Sequence, residues 1–226
     1  MKFDIVSANV NILESSLKNG LISRAVKKDL ISIHLHNLRD YAEGKYKQID
    51  DAPYGGGTGM ILKPEPVFRV VKELKKKTEF DEVIFFSPQG KRFDQSMANE
   101  FSLKRNILII CGHYKGIDER VISKLVTREI SIGDYVLSCG DIAAYVFIDA
   151  VSRLIPGVLG DGESAITDSF QVETGFDHPQ YTRPEIYEKM KVPDVLLSGN
   201  HKEINIWREK KALAKYKKIL KLNKKK

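Results

Sequence analysis

Three apolar runs in this chain each end in a glycine-containing loop: FFSPQGKRFD (85–94), LIICGHYKGIDERV (108–121) and ISIGDYVLSCGD (130–141). Each joins β-branched or aromatic residues, which suit a buried strand, to a residue that lets the backbone turn sharply. Helical apolar spacing fills the intervals. Lys2–Ala8 reads as a strand, 12–28 as helical, Ile31–Leu35 as a strand, and 65–77 as a helix with Pro66 in its first turn. Val83–Phe86 and Ile107–Cys111 are further strands, ISIGDYVLS is strand-like, and 94–103, 118–126 and 141–154 are helical. This order predicts an α/β fold with a largely parallel sheet. Ligands of such sheets bind where strand C-termini meet the following loops, so the three loops should converge on one site for a flat polar ligand. Ordinary turns would explain any one loop, but strain to explain all three.

Residues 39–60 read as a long polar loop that includes the glycine run PYGGGTGM (53–60). No Lys-Ser/Thr follows the glycines, so this is not a P-loop, and Leu62 stands where a G-x-G-x-x-G pattern from Gly57 and Gly59 needs glycine. From Gly157 to His178 the chain loses its periodicity and reads as an interdomain linker. Residues 184–226 read as helical, ending in a basic helix with Ile204, Trp207, Leu213, Ile219 and Leu220 as its apolar positions.

The formal charge of +7 over 226 residues is unevenly spread. Ile204 to Lys226 carry ten Lys/Arg against Glu209 alone, a net +9, which leaves 27 basic and 29 acidic residues before it, a net −2. Such a tail fits a polyanionic partner. No apolar stretch approaches the length of a membrane span, and the N-terminus lacks the pattern of a secretory signal, so no membrane partner is expected. Two cysteines, Cys111 and Cys139, make neither a disulfide framework nor a four-cysteine site and read as buried thiols. His34 and His36 share a strand face but have no further ligand set nearby. Arg153 and Asp168 are candidates for charge stabilisation and proton acceptance, although solvated surface would account for each taken singly.

PYGGGTGM, SPQGKRFDQ, CGHYKGIDERV, SIGDYVLSCGD, VSRLIPGVLG, TDSF, HPQYTRP and LLSGNHKEI occur in this order. Together they resemble the bacterial tRNA (guanine-N1)-methyltransferases of the SPOUT group. The resemblance implies a mostly parallel α/β sheet with a deep trefoil knot, which general topology rules would exclude, and a small helical C-terminal domain. Its divisions would be a knotted cofactor-binding domain over 1–160, a linker over 161–178, and a basic helical tRNA-binding domain over 179–226. It implies that S-adenosylmethionine binds against Ser87, Pro88, Gly90, Gly112, Tyr114, Ile132, Gly133, Asp134, Tyr135, Val136, Leu137 and Gly140. Gly57 and Gly59 would close near the substrate, and His178, Tyr181, Arg183, Ser198, Gly199, Asn200 and His201 would engage tRNA.

The same resemblance implies methyl transfer to N1 of the guanosine at tRNA position 37, next to the anticodon, which maintains the reading frame. Asp168 would be the general base and Arg153 would stabilise guanine O6. Mg²⁺ assistance, with unknown ligands, a homodimer with interfacial active sites, and a cytoplasmic location are further expectations. The chain departs from the family pattern GRYEGIDERV at His113 and Lys115, and from SGGE at Cys139 and Asp141. A lysine-rich helix stands where relatives often carry a longer C-terminal domain. A non-catalytic RNA-binding protein on the same scaffold, or a related knotted enzyme acting on another RNA or another base atom, are the rival readings. Asp168 and Arg153 oppose the first, and the TDSF and SGNH segments oppose the second.

Overall fold

The apolar runs form a five-stranded parallel sheet: β1 (Lys2–Ser7), β2 (Ser32–Asn37), β5 (Glu82–Arg92), β6 (Asn106–Ile110) and β7 (Arg128–Ser131), in the order β2-β1-β6-β5-β7. The computed structural model describes residues 1–159 and 177–223, with side chains through 218. The chain divides into two units, Met1–Gly160 and Asp161–Lys226.

Side chains alternate across the sheet, so each central strand feeds two cores. Phe3, Ile5, Ile84, Phe86, Ile107 and Ile109 face one way. They pack with residues of α1 (Asn11–Leu17), α2 (Gly20–Lys27), α4 (Gln95–Ser102) and α6 (Gly140–Ser152). Val6, Val83, Phe85, Leu108 and Ile110 face the other way, toward α3 (Pro64–Lys77) and α5 (Glu119–Leu125). In α3, Val67, Val70, Val71 and Leu74 are buried at helical spacing, each side chain contributing about 1.5–3 kcal/mol of transfer free energy. Prolines at the start of α3 need no amide donor, and Lys75, Lys76 and Lys77 oppose the negative end of its dipole.

The helical segment over 12–28 is in fact two helices. Asn19 is extended and Gly20 takes φ +73°, which no helix can continue through. Within the 39–60 loop lie a 3-10 turn (Leu38–Tyr41) and β3 (Asp50–Asp51), which pairs antiparallel with β4 (Ile61–Leu62). ISIGDYVLS is strand only through Ser131.

Residues 184–226 are not wholly helical. A two-residue hairpin joins β8 (Ile186–Tyr187) to β9 (Met190–Lys191), followed by α7 (Asp194–Leu197) and the long α8 (His201–Asn223). Pro184 and Pro193 interrupt helical continuity there, and Glu188 and Lys189 take positive φ in the hairpin turn. In α8, Ile204 and Ala212 are buried while Leu213 is exposed. Ile219 and Leu220 lie beyond the described side chains.

The buried Asp4 carboxylate on β1 meets His36 Nε2 at 2.7 Å and Lys2 Nζ at 3.0 Å. Burial pushes its pKa up, but the His36 and Lys2 contacts outweigh that and hold it below the usual carboxylate value. The stabilisation is therefore complete above the unfolded-state pKa, about 4, and drains as pH falls through the lower folded-state value. Asp4→Asn is expected to cost about 1.5–3 kcal/mol at pH 7, the worth of charged hydrogen bonds. It should also flatten the acid limb of stability, read as urea midpoints from pH 7 to pH 3.

Candidate active site

At the C-terminal ends of β5, β6 and β7 lies a cavity of about 550 Å³, within the range of small-molecule sites. Its walls come from the three glycine-containing loops. β5 pairs with β7 through Phe86↔Ile130, then slips so that Lys91 meets the same residue, which pushes Ser87–Gly90 out of the ladder as a bulge. Gly90 is required at that step, because a Cβ there would lie 2.4 Å from the Ile130 amide nitrogen.

The second and third walls meet at two glycines. The Gly140 N–H donates to the Gly112 carbonyl at 2.8 Å, and a Cβ on Gly140 would lie 2.8 Å from Gly112 N. This close approach sets α6 directly against the end of β6. Within the third loop, Ser131 Oγ accepts from Gly133 N and Tyr135 OH donates to the Ile132 carbonyl, which fixes the turn.

Ser87, Pro88, Gly112, Tyr114, Ile132, Gly133, Tyr135, Val136, Leu137 and Gly140 line the cavity. Gly90 does not line it and lies behind the wall, and Asp134 turns outward to Arg92 at 3.1 Å on the surface. Gly57 and Gly59 are also outside the lining, but Lys115 links their loop to it. Lys115 lines the cavity, its stem underlies Gly59, and its Nζ donates to Thr58 Oγ1 at 3.2 Å. Ile117, Glu119, Ile122, Glu129 and Ala143 complete the walls, and sequence reasoning missed them. The i, i+3 spacing of Glu119 and Ile122 on a helix following the second loop was the available signal.

Behind the cavity wall, Asp141 is fully buried in the first turn of α6. It accepts from Ser7 Oγ at 2.5 Å and meets His113 Nε2 at 2.8 Å. Burial pushes its pKa up, but the His113, Ser7 and Cys139 donors outweigh that and leave it lowered. Asp118 caps α5 and is held low chiefly by the Arg120 guanidinium.

Arg153 is placed elsewhere. It follows α6, whose 13 residues start at the cavity, so at about 1.5 Å per residue it stands about 20 Å along the helix from Gly140. Asp168 lies outside the described residues.

In the second unit, Ser198, Gly199, Asn200 and His201 form the turn into α8. Asn200 N–H donates to Ser198 Oγ, and Asn200 Oδ1 accepts from Glu203 N–H, capping the helix. His178 is half-buried beside Asp177, Arg183 is exposed, and the Tyr181 ring lies 6.2 Å from that of Trp207.

The lining of this cavity is mixed apolar and polar. Ile117, Ile130, Ile132 and Leu137 supply apolar walls, and loop backbone supplies donors and acceptors. Mg²⁺ fits poorly. Among the described residues the one group of three candidate ligands is His113, Cys139 and Asp141, a set containing sulfur and nitrogen rather than the oxygens this ion takes.

The model of the tRNA (Guanine-1)-methyltransferase TrmD family matches residues 1–223. A tRNA (guanine-N(1)-)-methyltransferase of Chlorobaculum tepidum is 55% identical over 212 residues, covering 94% of this chain and 92% of that protein. This chain belongs to that family. A Porphyromonas gingivalis relative of the same name is 50% identical, with 97% of each chain covered. The crystal structure of tRNA (m1G37) methyltransferase from Aquifex aeolicus superposes with a TM-score of 0.78 at 38% identity, covering 98% of this chain and 92% of that one. The α/β fold with a parallel sheet is thus a family property. No described helix is long and apolar enough to cross a membrane.

Gly140→Ala is expected to cost about 1–3 kcal/mol of stability, typical of overpacking, because backbone must move to admit the methyl group. It should also weaken S-adenosylmethionine binding measured by calorimetry, while the corresponding change at the exposed Gly44 leaves binding intact.

Proposed function

We propose that the chain transfers the methyl group of S-adenosylmethionine to N1 of guanosine 37 of tRNA, in the cytoplasm, and so maintains the reading frame. The observation that carries this is the three-loop cavity at the sheet's C-terminal edge in a chain of this family. The bound cofactor supplies an electrophilic methyl group on its sulfonium, which leaves as a neutral thioether when the methyl moves to N1.

Guanine N1 holds a proton in the neutral base, so it becomes a nucleophile only on losing it. Asp168 takes that proton, and negative charge moves onto O6, where the Arg153 guanidinium presents two parallel donors. Bases flanking the anticodon are single-stranded, so the target can leave the stack and be read on its Watson–Crick edge. The Mg²⁺ that the family resemblance implies enters no step here.

The length of α6 bears on assembly. A residue about 20 Å along the helix from Gly140 is better placed to serve the cavity of a second chain than its own. The reading is therefore a homodimer, with Asp168 and Arg153 serving the cavity of the partner. It carries the trefoil knot of the SPOUT fold through the three loops. It gives 1–160 to the cofactor, 161–178 to the linker, and 179–226 to tRNA. His178, Tyr181, Arg183, Ser198, Asn200, His201 and the basic face of α8 would contact the RNA, with Gly57 and Gly59 closing beside the base.

Purified protein should methylate N1 of guanosine 37, as read by mass spectrometry of nuclease-digested tRNA, and Asp168→Asn should abolish turnover. Mixing Asp168→Asn with a cofactor-binding variant should restore part of the activity, because one site of each mixed dimer is intact. No restoration would mean that each chain works alone. Deleting Lys224, Lys225 and Lys226 should weaken tRNA binding and leave cofactor affinity unchanged. The salt slope of tRNA binding should fall by about 0.7–0.9 for each phosphate those lysines neutralise.

A further inference from the structure

Two tripeptides of the same form face each other behind the cavity wall. Cys111-Gly112-His113 ends β6, and Cys139-Gly140-Asp141 opens α6. His113 bridges antiparallel to Cys139, and the Gly112–Gly140 hydrogen bond holds the two segments together. Ligand atoms of His113, Cys139 and Asp141 all lie within 4.8 Å of one another. The Cys111 thiol is buried nearby but lies outside that group.

We propose that His113, Cys139 and Asp141 supply three ligands of a tetrahedral site for a borderline-soft divalent cation of the Zn²⁺ class, with solvent from the cavity as the fourth. This is independent of the methyl-transfer reading. The donor set of one sulfur, one nitrogen and one oxygen is one that Zn²⁺ takes. Zn²⁺ bonds of about 2.0–2.3 Å put neighbouring ligand atoms about 3–4 Å apart, inside the 4.8 Å that spans the cluster.

The outer contacts match as well. Ser7 Oγ donates to Asp141 Oδ1 and leaves Oδ2 toward His113, the kind of support that orients a ligating carboxylate. His113 and Cys139 line the cavity, which gives an ion its path in from solvent. Without an ion, Asp141 accepts from Ser7 Oγ and meets His113 Nε2. Binding exchanges the Cys139 thiol proton for the dication, and that proton leaves to solvent. The ion then ties the end of β6 to the start of α6, the two walls on which the cavity depends.

The test is titration of the reduced, metal-free full chain with Co²⁺, a spectroscopic stand-in for Zn²⁺. Cys139 is the cysteine at this site, so loss of thiolate-to-cobalt charge-transfer absorption in Cys139→Ser ties the signal to it. The expected result is one equivalent bound, with charge-transfer and tetrahedral visible bands that stoichiometric Zn²⁺ erases and millimolar Mg²⁺ does not. Ser7→Ala should weaken binding by about 10–100-fold, the usual range for an outer-shell partner. His113→Ala should weaken it further, Cys139→Ser should lack the charge-transfer band, and Cys111→Ser should keep it. Absence of that band in the unmutated chain overturns the proposal, as does His113→Ala binding within twofold of it. Should Cys139→Ser not fold, alkylation of the unmutated chain decides. One equivalent of Zn²⁺ protecting Cys139 supports the site, and unchanged alkylation rejects it.

Discussion

The Gly112–Gly140 contact governs the architecture of the cavity. Two backbones meet there with no side chain between them, and the Gly140 N–H bonds the Gly112 carbonyl. β6 can then end directly against the N-terminus of α6, and Cys111, Asp141 and Ala143 pack immediately behind. Separating the segments by one methyl group would move the floor of a cavity whose recognition comes largely from backbone groups. A shape held by backbone proximity is stiff, because interiors at native packing density have little free volume to absorb a shift.

Much of this is legible in the chain. Strand identities follow from β-branched runs, and α3 from the spacing of Val67, Val70, Val71 and Leu74, because burial on one helix face leaves a periodic trace. The slip of β5 over Ser87–Gly90 leaves none. It depends on where β7 comes to lie, and that is a tertiary fact. The break at Gly20 shows as a single glycine within an otherwise continuous helical pattern. The stretch 184–193 reads as helical and is not, because charged residues alone do not define a helix. At the site, loop residues are legible by motif. The cavity's helix-borne lining and the Ser7–Asp141–His113 cluster are not, since they unite segments more than a hundred residues apart.

Charge is divided along the chain in a way that separates two physical tasks. The body before Ile204 has a net −2, so it exerts little long-range pull on a polyanion. The exposed lysines of α8 and the tail supply that pull, and phosphate contacts of this kind position a partner without reading its bases. At the turn Ser198–His201, Asn200 is already committed to capping α8. An Asn200 change would therefore act on the helix start as well as on any RNA contact.

The departures at His113 and Asp141 belong together. The pattern that the resemblance gives has Arg and Glu at these two positions, whereas this chain has a shorter base and a shorter acid. Here the two are in contact, with 2.8 Å between His113 Nε2 and Asp141 Oδ2. Removing one member of such a buried pair costs about 3–5 kcal/mol. Cys139 sets a small polarizable side chain beside the same carboxylate. Three positions that look independent in sequence are one cluster in space, so a change at any one of them acts on the other two.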